Sequence, residues 1–384
     1  MAARRRQLGG VDRLPSGRYR VRLTDPATGA RVSAGTFTNK ADAEKAFASA
    51  VTAQDRGTWV APRTTLTLAD YSNQWLESRL TSKGTRLRPR VRELYEGQLR
   101  LHILPTLGRA PLAKLRPTTV RSWYTALVDH GPGVITAAKC YRLLRAILNT
   151  AVEDGLLAVN PCTIRGAGAE RSPERIIPTV GQVVDLADTV DPRYRALVLL
   201  AAFGGLRRGE LFGLRRRHVD LTRGLVTVEV QRQQLAHGEL IVGPPKSEAG
   251  RRTVALPPQA IVALQSHIDQ WTGPAADDWV FTGAKGGPLR DAVWQHHWDV
   301  ARRSVGLADL HFHDLRHVSA TLTAATGAGV KEIMHRLGHS SAQAALRYQH
   351  ATPERDRSIA EAISRLIEAA GPSRPASSGS ILEP

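Results

Sequence analysis

Two short stretches before residue 40 alternate between hydrophobic and polar side chains, which is the spacing of β-strands. In the segment SGRYRVRL one strand face carries Tyr19, Val21 and Leu23, and the other face carries Arg18, Arg20 and Arg22. The segment DPATGAR predicts a turn, and VSAGTF predicts a second strand. Residues 38–57 have a helical pattern, with a cap at Thr38 or Asn39 and an end at Gly57. Residues 1–62 are therefore predicted to form a small β-sheet with one helix.

Between residues 65 and 160 the hydrophobic positions recur every three or four residues, the period of an amphipathic helix. Four segments have this pattern: TLADYSNQWLESRL, VRELYEGQLRLHILPTLG, RPTTVRSWYTALVDHG and VITAAKCYRLLRAILNTAVEDGLL. Pro117 stands near the start of the third segment, and Asn160-Pro161 follows the fourth, as is common at helix ends. Residues 65–160 are predicted to be a domain of about four helices.

The rest of the chain is predicted to hold a linker, a third domain and a tail. Residues 161–177 are polar and contain glycine, as linkers do. Residues 178–370 are rich in helical patterns, interrupted by GLVTVEV, GELIVG and RRTVALP, which predict three short antiparallel strands. Residues 371–384 have the composition of disorder. The predicted fold class is multidomain and mainly α with small β elements (α+β).

Net charge is the first feature that indicates a function. The chain has 53 lysines and arginines against 35 acidic residues, a formal net charge of +18. Nucleic acid is the leading partner for such a chain, because each neutralised phosphate releases counterions and favours binding. A strand face lined with arginine suits the major groove of DNA, and basic residues of the helical domain can follow the backbone. The candidates for DNA contact are Arg18, Arg20, Arg22, Arg88, Lys139 and Arg142.

Several other classes of protein are disfavoured. No hydrophobic run approaches the roughly 18 residues of a membrane span, and no apolar stretch follows the basic start MAARRRQLGG. We therefore expect neither a membrane partner nor a secretory signal. Cys140 and Cys162 are the two cysteines, and their spacing predicts no disulfide framework or zinc site. A reducing cytoplasm is the natural interpretation.

Two motifs of the third domain place isolated cations beside hydrophobic elements. In LLAAFGGLRRGELFGL an apolar helix runs into a Gly-Gly turn and presents Arg207 just before Glu210. An arginine between two apolar helical faces is unusual for a solvated surface. In GPPKSEAGRRTVALP, Lys246 lies in a polar turn between two predicted strands, where its ammonium group can reach over a groove.

Two further motifs gather five of the thirteen histidines. In HFHDLRH, His313 and Arg316 are three residues apart and share one helix face. In LGHSSAQAALRYQH, Gly338 ends one helix, His339 lies in the break and Tyr348 follows on the next short helix. From the pattern alone, His311, His317 and His350 are interpreted as structural or supporting residues.

Together the four motifs resemble those of the tyrosine recombinases, the phage-integrase family. GGLRRGEL is similar to the family's first arginine motif, PPKSEAGRRTVAL to its lysine-bearing hairpin, HDLRH to its His-x-x-Arg motif, and LGHSS with RYQH to its last motif. The resemblance covers about residues 65–370, with Gly204 standing where many members have threonine. The first two domains look like the family's arm-type domain and its helical, SAM-like core-binding domain, and residues 178–370 look like its catalytic domain.

The resemblance implies a set of roles. The catalytic residues would be Arg207, Lys246, His313, Arg316, His339 and Tyr348, with Glu210 in support of the first arginine. Tyr348 would attack a phosphodiester and form a covalent 3′-phosphotyrosine while fixed cations stabilise the developing charge. His313 would accept the tyrosine proton, and Lys246 would protonate the leaving 5′ oxygen. No cofactor and no metal are expected, since two arginines supply the positive charge.

The expected function is that of a phage or mobile-element integrase acting through a Holliday junction in a bacterial cytoplasm, at the nucleoid. The expected partners are double-stranded DNA at attachment sites, a homotetramer in the synaptic complex, and accessory proteins that bend DNA or set direction. The apolar-striped segment SIAEAISRLIEAA is expected to dock on a neighbouring protomer. Two alternatives stay open: a chromosome-dimer resolvase or conjugative-transposon recombinase with the same chemistry, and a DNA-binding regulator without catalysis.

Overall fold

The computed structural model describes residues 9–26, 29–56, 66–170, 177–348 and 353–370. The chain divides into two compact units, Met1–Glu174 and Arg175–Pro384. The predicted linker spans this boundary, and the finer division into an arm-type and a core-binding domain stays a prediction. The predicted helix end at Gly57, His350 and the predicted tail 371–384 lie outside the described residues.

The N-terminal sheet has three antiparallel strands in the order β1 (Gly9–Arg13), β2 (Tyr19–Thr24) and β3 (Arg31–Phe37), followed by helix α1 (Lys40–Asp55). Asn39 caps α1, because its side chain accepts a hydrogen bond from the backbone N–H of Asp42 at 2.8 Å. Val21 and Leu23 are fully buried with Ala43, which confirms the predicted apolar face of β2. The sequence pattern does not predict β1, since GGVDR offers a single hydrophobic position.

The second part of this unit is helical, with α2 (Leu68–Ser78), α3 (Pro89–Gln98), a π-helical turn (Leu99–Ile103), α4 (Leu104–Leu107), a 3-10 turn (Leu112–Lys114), α5 (Pro117–His130) and α6 (Val134–Glu153). These elements confirm the four predicted helices, the second of which is divided by the π turn. Pro105 follows this turn and lacks the N–H that a regular α-helix would need there. Trp75, Trp123 and Tyr141 lie in one hydrophobic core with the buried face of α6.

The second unit contains α7 (Val180–Thr189), α8 (Arg195–Phe203), α9 (Arg208–Phe212), α10 (Pro258–Trp271), α11 (Asp291–Ser304), α12 (Asp314–Ala325), α13 (Val330–Leu337), α14 (Ala342–Leu346) and α15 (Pro353–Ala370). Helix α8 is central, and its residues 196–202 are all buried. Helices α7, α10 and α12 pack around it. A helix that is hydrophobic on every side must be enclosed, so α8 gives the first arginine motif, which follows it, a rigid support.

The β region of this unit forms two separate sheets from β4 (Val219–Asp220), β5 (Leu225–Val228), β6 (Gln231–Gln234), β7 (Leu240–Gly243) and β8 (Arg252–Ala255). Strands β4, β5 and β8 make one antiparallel sheet, and β6 with β7 makes a hairpin. The three predicted strands are present, but GELIVG pairs with the polar segment QRQQ instead of with the other two. The pattern missed β6 because none of its four side chains is hydrophobic.

Among the described residues, no helix has both the length and the apolar character that crossing a membrane requires.

Candidate active site

Arg207 lies at the junction of α8 and α9. The chain turns there through Gly205, which has a φ of +66°. A Cβ atom on Gly205 would lie 2.6 Å from Cδ2 of Leu337 and 2.7 Å from Oγ of Ser319. Glycine is therefore required for both the backbone conformation and the space. This turn places Arg207 at the N-cap position of α9.

Glu210 holds Arg207 in a defined orientation. Its carboxylate accepts hydrogen bonds from the backbone N–H of Arg207 at 2.9 Å and from Nη1 of the same residue at 2.7 Å. Nη2 of Arg207 donates to the carbonyl of Gly338 at 2.7 Å. Glu210 is only 2% exposed, whereas the side chain of Arg207 keeps 31% exposure. The side chain of Arg207 is thus held in place but remains partly accessible to a ligand.

Arg316 lies on α12 and is buried, with 5% exposure. Its two terminal nitrogens donate to the backbone carbonyls of Gly205 and Leu337. These carbonyls follow α8 and end α13, and the free carbonyls at a helix C-terminus carry partial negative charge. Backbone dipoles therefore hold this guanidinium between the first and last motifs.

His339 follows a glycine cap at the end of α13. Gly338 has a φ of +63°, and the N–H of His339 donates to the carbonyl of Met334 at 2.9 Å. This bond is typical of an α-helix that ends at a glycine in the left-handed conformation. Nδ1 of His339 is buried and has no hydrogen-bond partner within the described part of the chain. A buried nitrogen without a partner costs free energy, so it favours the arrival of a polar ligand.

Arg252 is a buried cation of this site that the sequence analysis did not single out. Its Nη1 and Nη2 atoms donate to the two oxygens of Glu210, at 3.2 Å and 2.9 Å. The sequence carries a signal for it, because Arg252 and Val254 occupy the two inward positions of β8, whose burial alternates. An arginine on the inward face of a strand requires a buried partner.

Lys246 lies in the turn between β7 and β8, as predicted, and is exposed. The turn is tight: a Cβ atom on Gly250 would lie 2.5 Å from Cβ of Pro245. The turn also closes on the last motif, since a Cβ atom on Gly338 would lie 2.7 Å from the carbonyl oxygen of Ala249. The lysine is thus carried on a compact turn that contacts the segment before His339.

Tyr348 follows α14 and is half-buried. Its ring packs beside the small core of Ala320, Ile333 and Leu337. Its hydroxyl forms a hydrogen bond with Nδ1 of His317, one helical turn beyond His313. The sequence pattern indicates only a structural or supporting role for His317, but the structure places it directly at the tyrosine oxygen.

The predicted proton acceptor, His313, lies next to this pair. The ring centroids of His313 and His317 are 5.7 Å apart, in an edge-to-face arrangement. The ring centroids of His317 and Tyr348 are also 5.7 Å apart. The structure therefore brings the His-x-x-Arg motif and the last motif together, with His317 between the predicted acceptor and the predicted nucleophile.

Positive charge dominates the site. Arg207 and Arg252 both donate to the carboxylate of Glu210, and Arg316 donates to the backbone carbonyls of Gly205 and Leu337. Burial acts to raise the pKa of Glu210, but the hydrogen bonds and charge of Arg252, with the charge of Arg207, lower it below its usual value. Burial and then the charge of Arg207 lower the pKa of Arg316 to about 9, so this residue remains a cation at pH 7.

The two predicted histidines of the site are neutral at pH 7. The pKa of His313 is lowered to about 4 by partial burial and then by the charge of Arg316. The pKa of His339 is also lowered to about 4, by burial and then by the charges of Arg316 and Arg207. The neutral rings can each offer one N–H donor and one acceptor nitrogen to a ligand. Among the described residues no group of three or more His, Cys, Asp or Glu side chains is arranged to hold a metal ion.

The predicted DNA contacts all lie in the first unit, away from these motifs in the chain. Arg20 and Arg22 flank Asp12 of β1, and Arg18 donates to the carbonyl of Thr36 at 3.4 Å. Arg88 precedes α3 as its N-cap residue. The remaining two candidates, Lys139 and Arg142, share the carboxylate of Glu170. These roles stay predictions.

Comparison with known proteins decides the family. Residues 179–355 match the phage integrase family, and residues 67–128 match the N-terminal SAM-like domain of phage integrases. The putative prophage phiRv2 integrase of Mycobacterium tuberculosis is 36% identical over 373 residues, which cover 95% of this chain and 97% of that protein. The chain belongs to the phage integrase family. It is a site-specific recombinase of the tyrosine class, which confirms the predicted enzyme class.

Other relatives and solved structures agree with this assignment. The integrase of Mycobacterium phage D29 is 34% identical over 382 residues, 95% of this integrase and 99% of that protein. An integrase fragment of the Tn1549 transposon in complex with transposon right-end DNA has a TM-score of 0.66 at 18% identity, covering 78% of this chain and 100% of that one. A lambda integrase tetramer bound to a Holliday junction has a TM-score of 0.56 at 18% identity, and the match covers 90% of this chain and 95% of that one. These likenesses confirm the predicted multidomain α+β fold.

Proposed function

We propose that this integrase breaks and rejoins double-stranded DNA at attachment sites through a 3′-phosphotyrosine on Tyr348. The observation that carries the proposal is the clustering of three arginines: Arg207 and Arg252 share the carboxylate of Glu210, and Arg316 donates to the carbonyls of Gly205 and Leu337. Three guanidiniums and one carboxylate leave a net positive site, whose charge a phosphodiester would partly compensate. The side chain of Arg207 is partly exposed, and a guanidinium can bind phosphate oxygens in a bidentate manner.

The attack step follows from this arrangement. The Tyr348 oxygen forms a bond to phosphorus, and the bond between phosphorus and the 5′ oxygen breaks. Charge grows on the non-bridging oxygens during attack, where Arg207, Arg316 and His339 would stabilise it. Because the two arginines are held by backbone carbonyls and by Glu210, they need little reorganisation when the charge develops.

Two protons move in this step. The phenol proton leaves the Tyr348 oxygen, and a neutral histidine can take it. His313 is the acceptor that the family resemblance implies, but His317 is the residue whose Nδ1 contacts the hydroxyl. In the tautomer that carries its proton on Nε2, His317 accepts this hydrogen bond and is the better-placed first acceptor. Lys246 gives a proton to the departing 5′ oxygen, which leaves as a hydroxyl.

Rejoining would reverse the same steps with the 5′ hydroxyl of a second DNA strand, so the ester energy is conserved and no cofactor is used. Exchange of one strand pair gives a Holliday junction, and exchange of the second resolves it into integrated or excised DNA. We propose a homotetramer for this synapse, at the nucleoid of a bacterial host, with accessory proteins that bend DNA. A lambda integrase tetramer bound to a Holliday junction supports this assembly.

Contacts between protomers would involve α15. Its residues Ile363 and Leu366 are 51% and 71% exposed, which leaves an apolar stripe on the helix. A stripe of this kind favours burial against another chain. We therefore propose, as the sequence pattern predicts, that the segment SIAEAISRLIEAA docks on a neighbouring protomer.

Covalent trapping tests the proposed function. The full chain is incubated with fragmented DNA of its source, the protein is denatured, and the DNA that remains attached is sequenced. We expect adducts at one recurring sequence, attached through the 3′ phosphate to the peptide that contains Tyr348. Tyr348→Phe should abolish the adduct and retain DNA affinity within about twofold, because the ring is kept and the nucleophilic oxygen is lost.

Tyr95→Phe is the matched control, since Tyr95 is half-buried in the first unit and its ring contacts Trp75. This variant should form adducts at the level of the unmodified protein. Adducts that persist in Tyr348→Phe would show that another residue is the nucleophile. Tight DNA binding with no adduct from the unmodified protein, on linear or supercoiled DNA, would contradict the proposed chemistry.

A further inference from the structure

We infer that Arg252 is a positioning residue that holds the turn carrying Lys246 in register with Arg207 and His339. This inference rests on the proposed function, because it assigns Lys246 to the protonation of the 5′ oxygen. Arg252 is neither exposed to DNA nor placed to touch the reacting atoms: its side chain is 1% exposed. Any effect on the reaction must therefore pass through the groups that it binds.

Those groups belong to three different parts of the chain. The guanidinium binds both carboxylate oxygens of Glu210, at 3.2 Å and 2.9 Å. It donates through Nη1 to the carbonyl of Gly250 at 3.0 Å and through Nε to the carbonyl of Arg336 at 2.8 Å. Glu210 in turn orients Arg207, Gly250 closes the turn that contains Lys246, and Arg336 is three residues before His339.

The packing around Arg252 leaves the Lys246 turn little room to move on its own. A Cβ atom on Gly338 would lie 3.0 Å from Nη1 of Arg252 and 2.7 Å from the carbonyl oxygen of Ala249. The turn, the guanidinium and the glycine cap of α13 are thus in direct contact. If the guanidinium is removed, the turn loses its fixed hydrogen bond at Gly250 and its contact with this cap.

Packing alone does not explain an arginine at this position. A buried ion pair carries the desolvation cost of both charges, and hydrophobic residues of similar volume often give equal or higher stability. Val254, the other inward residue of β8, is hydrophobic and also buried. The fork of Arg252 does something that an aliphatic side chain cannot: it fixes three chain segments at defined distances by directional hydrogen bonds.

The consequence for the reaction is specific. Arg207 keeps its bond to the carbonyl of Gly338 and its backbone bond to Glu210 without Arg252, so phosphate binding has independent support. The hydrogen bond at Gly250 links the Lys246 turn directly to this network. Loss of Arg252 should therefore impair protonation of the leaving oxygen more than activation of the phosphate.

A substrate with a sulfur atom in place of the 5′ bridging oxygen separates these effects. A thiolate leaves without a proton because its conjugate acid has a pKa near 8.5. Cleavage of this substrate is therefore insensitive to the general acid. The experiment compares single-turnover adduct formation on the oxygen and sulfur versions of the duplex that covalent trapping recovers. It uses the full chain and the variants Arg252→Met, Arg252→Lys, Lys246→Ala and Arg207→Ala.

We expect Arg252→Met and Lys246→Ala to cleave the oxygen substrate about a hundredfold more slowly, the usual size of a general-acid effect, and the sulfur substrate within about fivefold of the unmodified rate. Arg252→Lys keeps the charge without the fork, so its rate should fall between those of Arg252→Met and the unmodified protein. Arg207→Ala should be slow on both substrates. Arg251→Met is the matched control, because Arg251 is the neighbouring residue and its side chain is 58% exposed. In this variant the ratio of the cleavage rates on the oxygen and sulfur substrates should equal that of the unmodified protein.

Equal slowing of Arg252→Met on both substrates would overturn the inference and assign Arg252 to the support of Arg207. An unchanged rate on the oxygen substrate would overturn it as well. If Arg252→Met does not fold, hydrogen exchange of residues 244–251 in Arg252→Lys decides the matter: faster exchange in this turn supports the inference, and unchanged exchange refutes it. Failure of the proposed function is distinguishable, since the unmodified protein would then form no adduct with either substrate.

Discussion

The Tyr348 hydroxyl and Nδ1 of His317 are hydrogen-bonded across 31 residues of sequence. The bond joins the last motif of the chain to the helix that carries Arg316 and follows His313. A phenol has a pKa near 10, so at pH 7 it attacks well only when a base removes its proton or a donor activates the phosphate. The structure places a histidine nitrogen in hydrogen-bond contact with this hydroxyl.

His317→Ala should slow formation of the covalent adduct by about a hundredfold, the usual loss when a positioned base is removed. DNA affinity should stay within about threefold, because His317 is not among the residues proposed to bind phosphate. Single-turnover adduct formation on a duplex that contains the trapped site measures this rate. His311→Ala is the control: it lies on the same motif, but its side chain is 74% exposed and faces Asp314.

The same assay compares His317 with His313. If His313 is the first proton acceptor, as the family resemblance implies, His313→Ala will be the slower variant and His317→Ala will cleave at nearly the unmodified rate. If the residue in contact with the Tyr348 hydroxyl is the first proton acceptor, His317→Ala will be the slower variant. Equal rates for His317→Ala and the unmodified protein would contradict a catalytic role for His317.

Glu210→Gln should lower the stability of the second unit by about 3 kcal/mol, because it leaves the buried guanidinium of Arg252 without an anion. Glu210 is 2% exposed, so water cannot replace the lost charge. For a unit of this size the loss corresponds to a fall of roughly 6 to 12 °C in the melting temperature, measured by calorimetry. Glu248→Gln is the control, since its side chain is 89% exposed, and should shift the melting temperature by less than about 2 °C. A stable Glu210→Gln variant would show that the carboxylate charge is not needed.

Much of the fold could be predicted because the hydrophobic pattern is strong where elements are half-buried. The alternation of Val21 and Leu23 and the helical spacing around Trp75 and Trp123 directly reflect the burial that the structure shows. Strand β6 could not be predicted, since it is held by the hairpin with β7 and by the buried Arg232, not by hydrophobic side chains. Pairing partners depend on contacts distant in sequence, which periodicity does not contain.

The candidate site also contains residues that the sequence could predict and residues that it could not. Arg207, His313, Arg316, His339 and Tyr348 could be named because their motifs are local and resemble those of a known family. The contact of Arg252 with Glu210 and that of His317 with Tyr348 could not be predicted, because each joins residues more than 30 positions apart. A charged residue at an inward strand position and a second histidine one helical turn after the first were the available signals.

Stability should fall as the pH decreases from about 6.5 to about 4. In the folded protein the pKa of His339 is lowered to about 4, by burial and then by the charges of Arg316 and Arg207. In the unfolded chain a histidine titrates near 6.5. Within this window the unfolded chain binds protons that the folded chain does not, so the unfolded state gains stability. Above pH 6.5 both states are neutral and the histidine contributes no pH dependence.

Thermal midpoints at roughly pH 7.5, 6.0 and 5.0 span the upper part of this window and measure the dependence. His339→Gln keeps a polar side chain but cannot titrate, so its midpoint should fall less steeply than that of the unmodified protein. His237→Gln is the control for replacing a histidine at the surface, because the side chain of His237 is 70% exposed. A midpoint that rises as the pH is lowered through this range would contradict the assigned direction.

Gly338→Ala should disturb the site beyond the cost of its backbone conformation. Its φ of +63° costs an L-residue about 1 to 2 kcal/mol, and the added Cβ would lie 2.7 Å from the carbonyl oxygen of Ala249. Gly306→Ala is the matched control, because Gly306 has a φ of +74° and a Cβ there would meet no atom within 4 Å. We expect both variants to lose stability, measured by calorimetry, and only Gly338→Ala to lose adduct formation, by at least about tenfold, since a small misplacement of catalytic groups has a large effect on rate. Equal activity in the two variants would show that the Lys246 turn need not contact the glycine cap.

Charge removal on the N-terminal sheet gives the last test, of DNA contact by the arginine face of β2. Arg20 and Arg22 flank Asp12, so part of their charge is already compensated within the sheet. Removing both arginines should reduce the magnitude of the negative slope of log K against log salt by about 2, since each lost phosphate contact reduces it by about 0.9. Asp12→Asn should act oppositely and tighten binding, because it releases the two guanidiniums. The slope is measured with a duplex of about 30 base pairs between roughly 50 and 200 mM salt, with Lys40→Ala as the control on α1, where Lys40 pairs with Glu44. An unchanged slope in the double variant would show that this face does not contact the DNA backbone.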